Sequence, residues 1–148
     1  MPSTFLSLNY HIIFSTKDRE PIIPPPWRDE LHAYLGGILR DLGGVAQQVG
    51  GTADHVHVLA GLKATHCLAD VLRDVKSGSS RWIHDEKRIR SFGWQEGYGA
   101  VTVSPSDLAR VRRYIARQEE HHRKRTFQEE FREFLDKCGI AYDERYLW

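Results

Sequence analysis

Two histidines separated by one residue are the first groups in the sequence whose types and spacing suggest chemistry. They lie in the segment Asp54-His55-Val56-His57-Val58, whose alternating valines predict a β-strand. Because side chains alternate along a strand, His55 and His57 should face one side of the sheet together. Two parallel imidazoles on a rigid strand can share one divalent cation. The alternative is a pair of half-buried histidines with ordinary hydrogen bonds, and this pattern alone does not separate the two.

A tyrosine and a glutamine on a later helix form the second candidate group. The segment Ser104-Pro105-Ser106-Asp107 is typical of a helix start, with a serine cap, a proline in the first turn and an acid at the third position. Tyr114 and Gln118 would lie one turn apart at the edge of that helix's apolar stripe. Such a pair can supply a nucleophile and a third metal ligand. It can equally be a rim tyrosine beside a solvated amide.

Charge is distributed unevenly over the last third of the chain. Residues 110–125 carry a net charge of +5 and residues 126–148 a net charge of −3. This pattern suits an anionic partner held at one place on the surface, or a solvated helix face with compensating ion pairs. Adjacent His121 and His122 would point about 100° apart on a helix, so we expect them to be basic-surface residues rather than a shared ligand pair.

Composition limits the class of protein. The chain has 148 residues, 41% of them hydrophobic and 28% charged, which is typical of one globular domain. The net charge of +1 excludes a simple polycationic nucleic-acid coat. Cys67 and Cys138 are too far apart in sequence to suggest a disulfide framework or a four-cysteine zinc site. With no visible signal peptide and no run of 18 apolar residues, we expect a cytoplasmic protein without a membrane partner.

The predicted secondary structure follows the order β-α-β-β-α-β and then two C-terminal helices. This order indicates an α+β fold with a ferredoxin-like (RRM-like) antiparallel sheet and two helices on one face. Such a fold serves many unrelated functions and does not by itself indicate one. The predicted strands cover 5–16, 45–49, 53–62 and 98–103; the predicted helices cover 31–42, 65–83 with a loosening at 77–80, the segment after 104, and 126–139.

Five segments occur in the order found in one enzyme family, and over about nine-tenths of its length the chain resembles that family. It is the family of small single-tyrosine HUH transposases of insertion sequences, which includes relatives associated with repeated extragenic palindromes (REP). The resemblance implies one transposase domain over 1–148, with a catalytic core at 1–125 and an acidic helix and tail at 126–148. The matching segments are Tyr10–Lys17, Asp54–Leu59, Lys76–Ser80, Trp94–Tyr98 and Tyr114–His122.

The resemblance also implies a mechanism and its residues. Tyr114 would be the nucleophile, and His55, His57 and Gln118 would hold Mg²⁺ or Mn²⁺. The activity would be cutting and rejoining of single-stranded DNA at hairpin-bearing ends through a 5′-phosphotyrosine. Two imidazoles suit Mn²⁺ or Zn²⁺ better than Mg²⁺, which prefers oxygen ligands, although phosphate oxygens and water would make the shell richer in oxygen.

Four basic side chains are the expected contacts to DNA phosphates: Lys17, Lys76, Arg81 and Arg112. Joining two element ends requires two nucleophiles, so we also expect a homodimer. The resemblance implies that Tyr114 of one subunit serves the histidines of the other, with Gly97 and Gly99 as hinges. The tail from Thr126 to Trp148 would instead suit a monomer whose Tyr114 serves its own site.

Three alternatives remain open at this point. One keeps the chemistry but gives it to a domesticated enzyme that cuts chromosomal hairpin repeats. Another is a noncatalytic RNA-binding module with aromatics such as Phe5, Tyr10 and Phe14 exposed on the sheet. The third is a hydrolase using a metal-bound hydroxide, which would need more ligands near the histidines than Asp54 and gives Tyr114 no role.

Overall fold

The structure is a computed structural model that describes residues 3–147. Its elements follow the predicted order, except that the segment after 104 forms two helices rather than one before the predicted tail helix. The strands are β1 (Asn9–Ser15), β2 (Val45–Gly51), β3 (His55–Gly61) and β4 (Gly99–Thr102); the helices are α1 (Pro25–Asp41), α2 (Leu68–Glu86), α3 (Leu108–Ala116), α4 (Gln118–His121) and α5 (Phe127–Lys137). Short 3₁₀ turns cover Lys17–Arg19, Pro105–Asp107 and Glu144–Tyr146.

The four strands form one antiparallel sheet in the order β2-β3-β1-β4. The first and third strands are therefore neighbours at the centre, where Ile13 pairs with His57 and Ser15 with His55. This is the ferredoxin-like arrangement predicted from the sequence, and the prediction is confirmed. A central strand gives the two histidines a backbone held by hydrogen bonds on both sides.

The two faces of the sheet differ in chemistry. Alternation on β1 and β3 directs Ile12, Phe14, Val56 and Val58 to one face, where α1 and α2 cover them in a continuous apolar core. The opposite face presents His11, Ile13, His55, His57 and Leu59, and it lies under α3, α4 and α5. The polar face is therefore also buried, although its layer contains ionisable side chains.

Helix α2 differs from the prediction in its start and in its continuity. It begins at Leu68 after Cys67, not at a Thr65 cap, and it runs unbroken through the stretch 77–80. The hydroxyl of Ser79 donates to the carbonyl of Val75 at 2.7 Å and accepts from the indole of Trp94 at 2.9 Å. Because those hydrogen bonds are made inside the helix, the serine-rich stretch does not loosen it.

Tyr114 and Gln118 lie on two helices rather than on the one predicted. Helix α3 ends at Ala116, the backbone departs from helical angles at Arg117 (φ −108°, ψ 28°), and Gln118 begins α4. Gly50 of β2 permits this packing, since a Cβ there would overlap the backbone oxygen of Ile115. The first predicted strand is also shorter, because β1 starts at Asn9 and leaves Phe5 exposed.

Helix α5 carries the acidic tail back onto the polar face. The hydroxyl of Thr126 accepts from the backbone N–H of Glu129, which confirms the predicted cap. Phe127, Phe131 and Leu135 then pack with Ile13 and Leu147. Both cysteines are free and exposed, and among the described residues there is no helix long and apolar enough to cross a membrane.

Candidate active site

His55 and His57 are fully buried on the same face of β3, as the alternation predicts. The Nδ1 atom of His55 lies 2.8 Å from Oδ1 of Asp54, so a carboxylate fixes the orientation of the ring. On the other side of the ring, Nε2 lies 3.0 Å from Oε1 of Gln118, which is also buried. The amide of Gln118 donates to the carbonyl of Tyr114 at 3.4 Å, which points its oxygen toward His55.

His57 belongs to a chain of hydrogen bonds that starts at His11. Nε2 of His11 lies 2.8 Å from Nδ1 of His57, and Nε2 of His57 lies 3.0 Å from Oε1 of Glu130. Burial lowers the pKa of His57 to about 4 and that of His11 to about 3. Both rings are therefore neutral at pH 7, with His11 donating to His57 and His57 donating to Glu130.

Glu130 of α5 lies at the centre of the site, which the sequence interpretation missed. Its Oε1 atom is 3.0 Å from His57 Nε2, 3.1 Å from His122 Nε2 and 3.6 Å from His55 Nε2. Its Oε2 atom accepts a short hydrogen bond from the hydroxyl of Tyr114. The signal was present: an acid spaced i+3 from Phe127 faces the sheet with the apolar stripe of α5.

The charges at this carboxylate favour a neutral tyrosine. Burial alone would raise the pKa of Glu130, but hydrogen bonds from His122 and His57 outweigh it and hold that pKa well below its usual range. Burial, and then the neighbouring charge of Glu130, raise the pKa of Tyr114 far above its ordinary value. Arg125 opposes this effect with Nη2 at 3.4 Å from the tyrosine oxygen.

The expectation that His121 and His122 are surface residues is wrong. The imidazole of His122 is only 12% exposed and reaches Glu130, and the ring of His121 stacks on Tyr114 at 4.6 Å. The two rings nevertheless point to different partners, as expected for neighbours about 100° apart, because His122 still has helical backbone angles (φ −81°, ψ −3°).

One group of side chains in the described chain has the composition of a cation site. The ligand atoms of His55, His122 and Glu130 all lie within 4.8 Å of one another, and the oxygen of Gln118 adjoins His55. Imidazole nitrogens together with carboxylate and amide oxygens are a donor set that accepts a divalent metal. The donors therefore fit such an ion.

The four expected phosphate contacts are dispersed over the molecule. Arg112 is exposed on α3 and binds Gln47, while Lys17 and Arg81 are exposed elsewhere. Lys76 is half-buried on α2, and its ammonium donates to three backbone carbonyls at 2.9, 3.2 and 2.6 Å, those of Gln95, Glu96 and Gly97. Burial lowers the pKa of Lys76 to about 8.

Two cavities flank the site, and both have charged linings. A cavity of about 340 Å³ opens on the Tyr114 side, with Arg110, Arg125 and Lys137 in its wall. A second of about 660 Å³ lies on the side of His122, and its basic lining consists of Arg28, Arg123, Lys124 and Arg125. On the Tyr114 side the three basic residues are matched by Asp107, Glu130 and Glu133, whereas the wall on the His122 side has one more basic than acidic residue. The His122 side is therefore the approach that offers positive charge to an anionic chain.

Known proteins resemble this chain in sequence and in fold. The model of the family described as "Transposase IS200 like" matches residues 4–118. The ISDra2 transposase TnpA of Deinococcus radiodurans is 25% identical over 117 residues, which cover 75% of this chain and 84% of that protein.

Two solved structures share the fold. A crystal structure of a transposase candidate from Deinococcus radiodurans R1 has a TM-score of 0.64 and 25% identity, covering 80% of this chain and 95% of the other. A REP-associated tyrosine transposase bound to a REP hairpin has a TM-score of 0.61 and 12% identity, covering 82% and 73%. Because the family match spans both the histidine strand and the segment from Tyr114 to Gln118, the chain belongs to the IS200-like transposase family.

Proposed function

We propose that this transposase cuts and rejoins single-stranded DNA at hairpin-bearing ends, with Tyr114 as nucleophile and a 5′-phosphotyrosine intermediate. One observation carries the proposal. The hydroxyl of Tyr114 and the imidazoles of His55 and His57 converge on the two oxygens of a single carboxylate. The nucleophile and the cation ligands therefore meet at one carboxylate.

A divalent cation, Mg²⁺ or Mn²⁺, fits between His55 and Gln118. Nδ1 of His55 is held by Asp54, and its Nε2 atom faces the Gln118 oxygen at 3.0 Å. A nitrogen and an amide oxygen at that separation can both be ligands of one cation. His57 would be a further ligand once its proton lay on Nδ1 rather than Nε2, which also requires His11 to carry its proton on Nδ1 so that its Nε2 accepts from His57. When bound, the cation would polarise a nonbridging oxygen of the scissile phosphate.

The reaction follows from the position of the tyrosine. The oxygen of Tyr114 attacks phosphorus, the bond to the 3′ oxygen breaks, and that oxygen leaves and takes up a proton as a 3′-hydroxyl. The hydroxyl of Tyr114 donates to Glu130 before the reaction, and the proton it loses on attack is balanced by the one that the leaving 3′ oxygen takes up. The phosphotyrosine conserves the energy of the phosphodiester, so attack by another 3′-hydroxyl rejoins DNA without ATP.

A single strand is the substrate that one tyrosine and one cation site can cut. The basic side chains in the wall on the His122 side, Arg28, Arg123, Lys124 and Arg125, support binding of a polyphosphate chain. The related fold that carries a REP hairpin supports the hairpin as the recognised feature. An enzyme that cuts chromosomal hairpin repeats would use the same residues in the same way.

We also propose that the active transposase is a homodimer, because two ends must be held and joined. Within one chain, Tyr114 lies beside its own His57, with ring centroids 5.8 Å apart. Mixing a Tyr114→Phe chain with a chain lacking both site histidines tests whether the sites work across subunits. Recovered cleavage would support sites shared between subunits. No recovery, together with a monomeric mass, would contradict the dimer.

The proposed activity is tested with labelled hairpin-bearing single-stranded DNA and Mg²⁺ or Mn²⁺. We expect a protein–DNA adduct that survives denaturation, needs the cation and is absent with blunt duplex. Tyr114→Phe is the matched control, because it removes the hydroxyl and leaves the packed ring. An adduct formed equally by Tyr114→Phe would reject the proposal.

A further inference from the structure

We propose that Glu130 and His122 are additional ligands of the active-site cation, so that the tail helix α5 and the core hold the ion jointly. The proposal rests on the proposed function, because it concerns the cation that His55, His57 and Gln118 would bind. Neither residue lies in the segment that matches the family model, which ends at residue 118. The two ligands would therefore be a property of this chain and its tail.

The separations between the donor atoms fit ligands of one ion. Mg²⁺ and similar cations lie about 2.1 Å from each ligand atom, so neighbouring ligands are roughly 3.0 to 3.4 Å apart. Oε1 of Glu130 is 3.1 Å from His122 Nε2, within this range, and 3.6 Å from His55 Nε2, slightly beyond it. The latter atom is in turn 3.0 Å from the Gln118 oxygen.

The chemistry of Glu130 supplies what the histidines lack. Two imidazoles and an amide carry no negative charge, whereas Mg²⁺ and Mn²⁺ prefer anionic oxygen. Glu130 is 2% exposed and takes its hydrogen bonds from imidazoles and the Tyr114 hydroxyl. A buried carboxylate in such company is stabilised by a cation.

The position of α5 is held independently of any ion. Phe127 of α5 packs on the ring of His55 at 4.4 Å, and Phe131 and Leu135 pack on the sheet. A carboxylate placed by this packing would bind the cation with one oxygen and the Tyr114 hydroxyl with the other. Glu130 would then set the distance between the nucleophile and the cation.

The test measures Mn²⁺ binding to the full-length protein without DNA, by the electron paramagnetic resonance signal of free Mn²⁺ and by calorimetry. We expect Glu130→Gln to weaken Mn²⁺ binding by at least about tenfold. Replacing residues that only hold a metal ligand in place already costs about 10- to 100-fold in metal affinity, and a direct ligand should cost no less. Glu129→Gln is the matched control, since Glu129 is exposed on the same helix. His122→Ala is the second variant, and we expect it to weaken binding as well; this keeps the proposal testable if Glu130→Gln fails to fold.

Several outcomes would overturn the proposal. Equal or tighter Mn²⁺ binding by Glu130→Gln would mean that the carboxylate blocks the site rather than ligating the ion. Weaker binding by Glu130→Gln with full binding by His55→Ala would mean that the two residues do not share a cation. Failure of the proposed function is recognised separately, because the wild-type protein would then bind Mn²⁺ as expected yet form no adduct on Tyr114.

Discussion

The two faces of the sheet bury their side chains equally well, but one buries apolar side chains and the other buries polar and ionisable ones. Under α1 and α2, the buried side chains are almost all apolar, as with Phe14, Leu31 and Leu35. On the other face, His55, His57, Gln118 and Glu130 are just as inaccessible, with 0 to 2% exposure. Apolar burial stabilises the first face directly, whereas the second face needs each polar atom paired to avoid a net cost.

This difference separates stability from chemistry within one sheet. Alternate side chains of β1 and β3 point to opposite faces of the sheet. A substitution on one of these strands should therefore affect mainly stability if its side chain points to the apolar face, and mainly activity if it points to the polar face. A substitution on the polar face should therefore remove function without unfolding the protein, because the apolar core on the other face stays intact. The predictions below test that separation.

The largest effect on activity should follow from removing both imidazoles on the polar face. The double variant His55→Ala, His57→Ala is expected to lower cation-dependent adduct formation by at least roughly 10²-fold, because the electrostatic stabilisation of the phosphate is lost. Adduct formation on labelled hairpin DNA measures this. His66→Ala is the control, since that residue lies in the turn before α2 and bonds to Leu42 and Lys63. Full activity in the double variant would remove the functional distinction between the faces.

The largest effect on stability should come from the apolar face. Phe14 is fully buried and meets Trp94 edge to face at 4.8 Å. Phe14→Ala should therefore lower the free energy of unfolding by about 3–5 kcal/mol, from lost burial and the cavity left behind. Urea unfolding measures it, with Phe5→Ala as a control at a 90% exposed position. A loss below about 1 kcal/mol would mean that this face is not the main source of stability.

Acid should destabilise the fold through neutral histidines on the polar face and on α1. Burial lowers the pKa of His57 to about 4 on the polar face and that of His32 to about 4 on α1. The unfolded chain takes up these protons below about pH 6.5, so stability is full above that pH and falls toward pH 4. We expect a loss of about 2 kcal/mol per histidine between pH 7 and pH 5 in chelator.

Urea unfolding of wild type and His32→Gln at the two pH values separates the contributions. The Nε2 atom of His32 is buried without a hydrogen-bond partner in the described part of the chain. The variant should therefore lose less stability on acidification than the wild type. An equal loss in the two proteins would contradict a neutral His32.

The smallest effect should come from one exposed basic side chain beside the site. Arg112 is exposed on the same helix as Tyr114, and replacing it with glutamine should reduce the slope of log affinity against log salt by about 1. Fluorescence anisotropy of labelled hairpin DNA at several salt concentrations measures the slope. Arg145→Gln is the control, because that side chain is 77% exposed and pairs with Asp143 in the tail. Equal slopes of log affinity against log salt for the two variants would mean that Arg112 does not contact the DNA.

The sequence contained the element order and the shared face of His55 and His57, because strand periodicity and turn residues are local signals. It also placed Tyr114 and Gln118 near each other, although the break at Arg117 depends on contact with Gly50, which no local pattern shows. The place of Glu130 on the apolar stripe of α5 was a local signal, but its contact with His57 depends on α5 folding back over the sheet, which the charge pattern of 126–148 does not show. His122 was missed because it was interpreted as a surface residue, and its contact is with the same carboxylate.

Which DNA fragment stays attached to Tyr114 is the most direct measure of the proposed chemistry. Hairpin-bearing single strands labelled at the 5′ end or at the 3′ end are incubated with protein and Mn²⁺, denatured and digested for peptide mass analysis. We predict that the 3′-end label stays on the protein, on the peptide containing Tyr114, while the 5′-labelled fragment is released with a free 3′-hydroxyl. Retention of the 5′-end label, or attachment to any other residue, would contradict a 5′-phosphotyrosine at Tyr114.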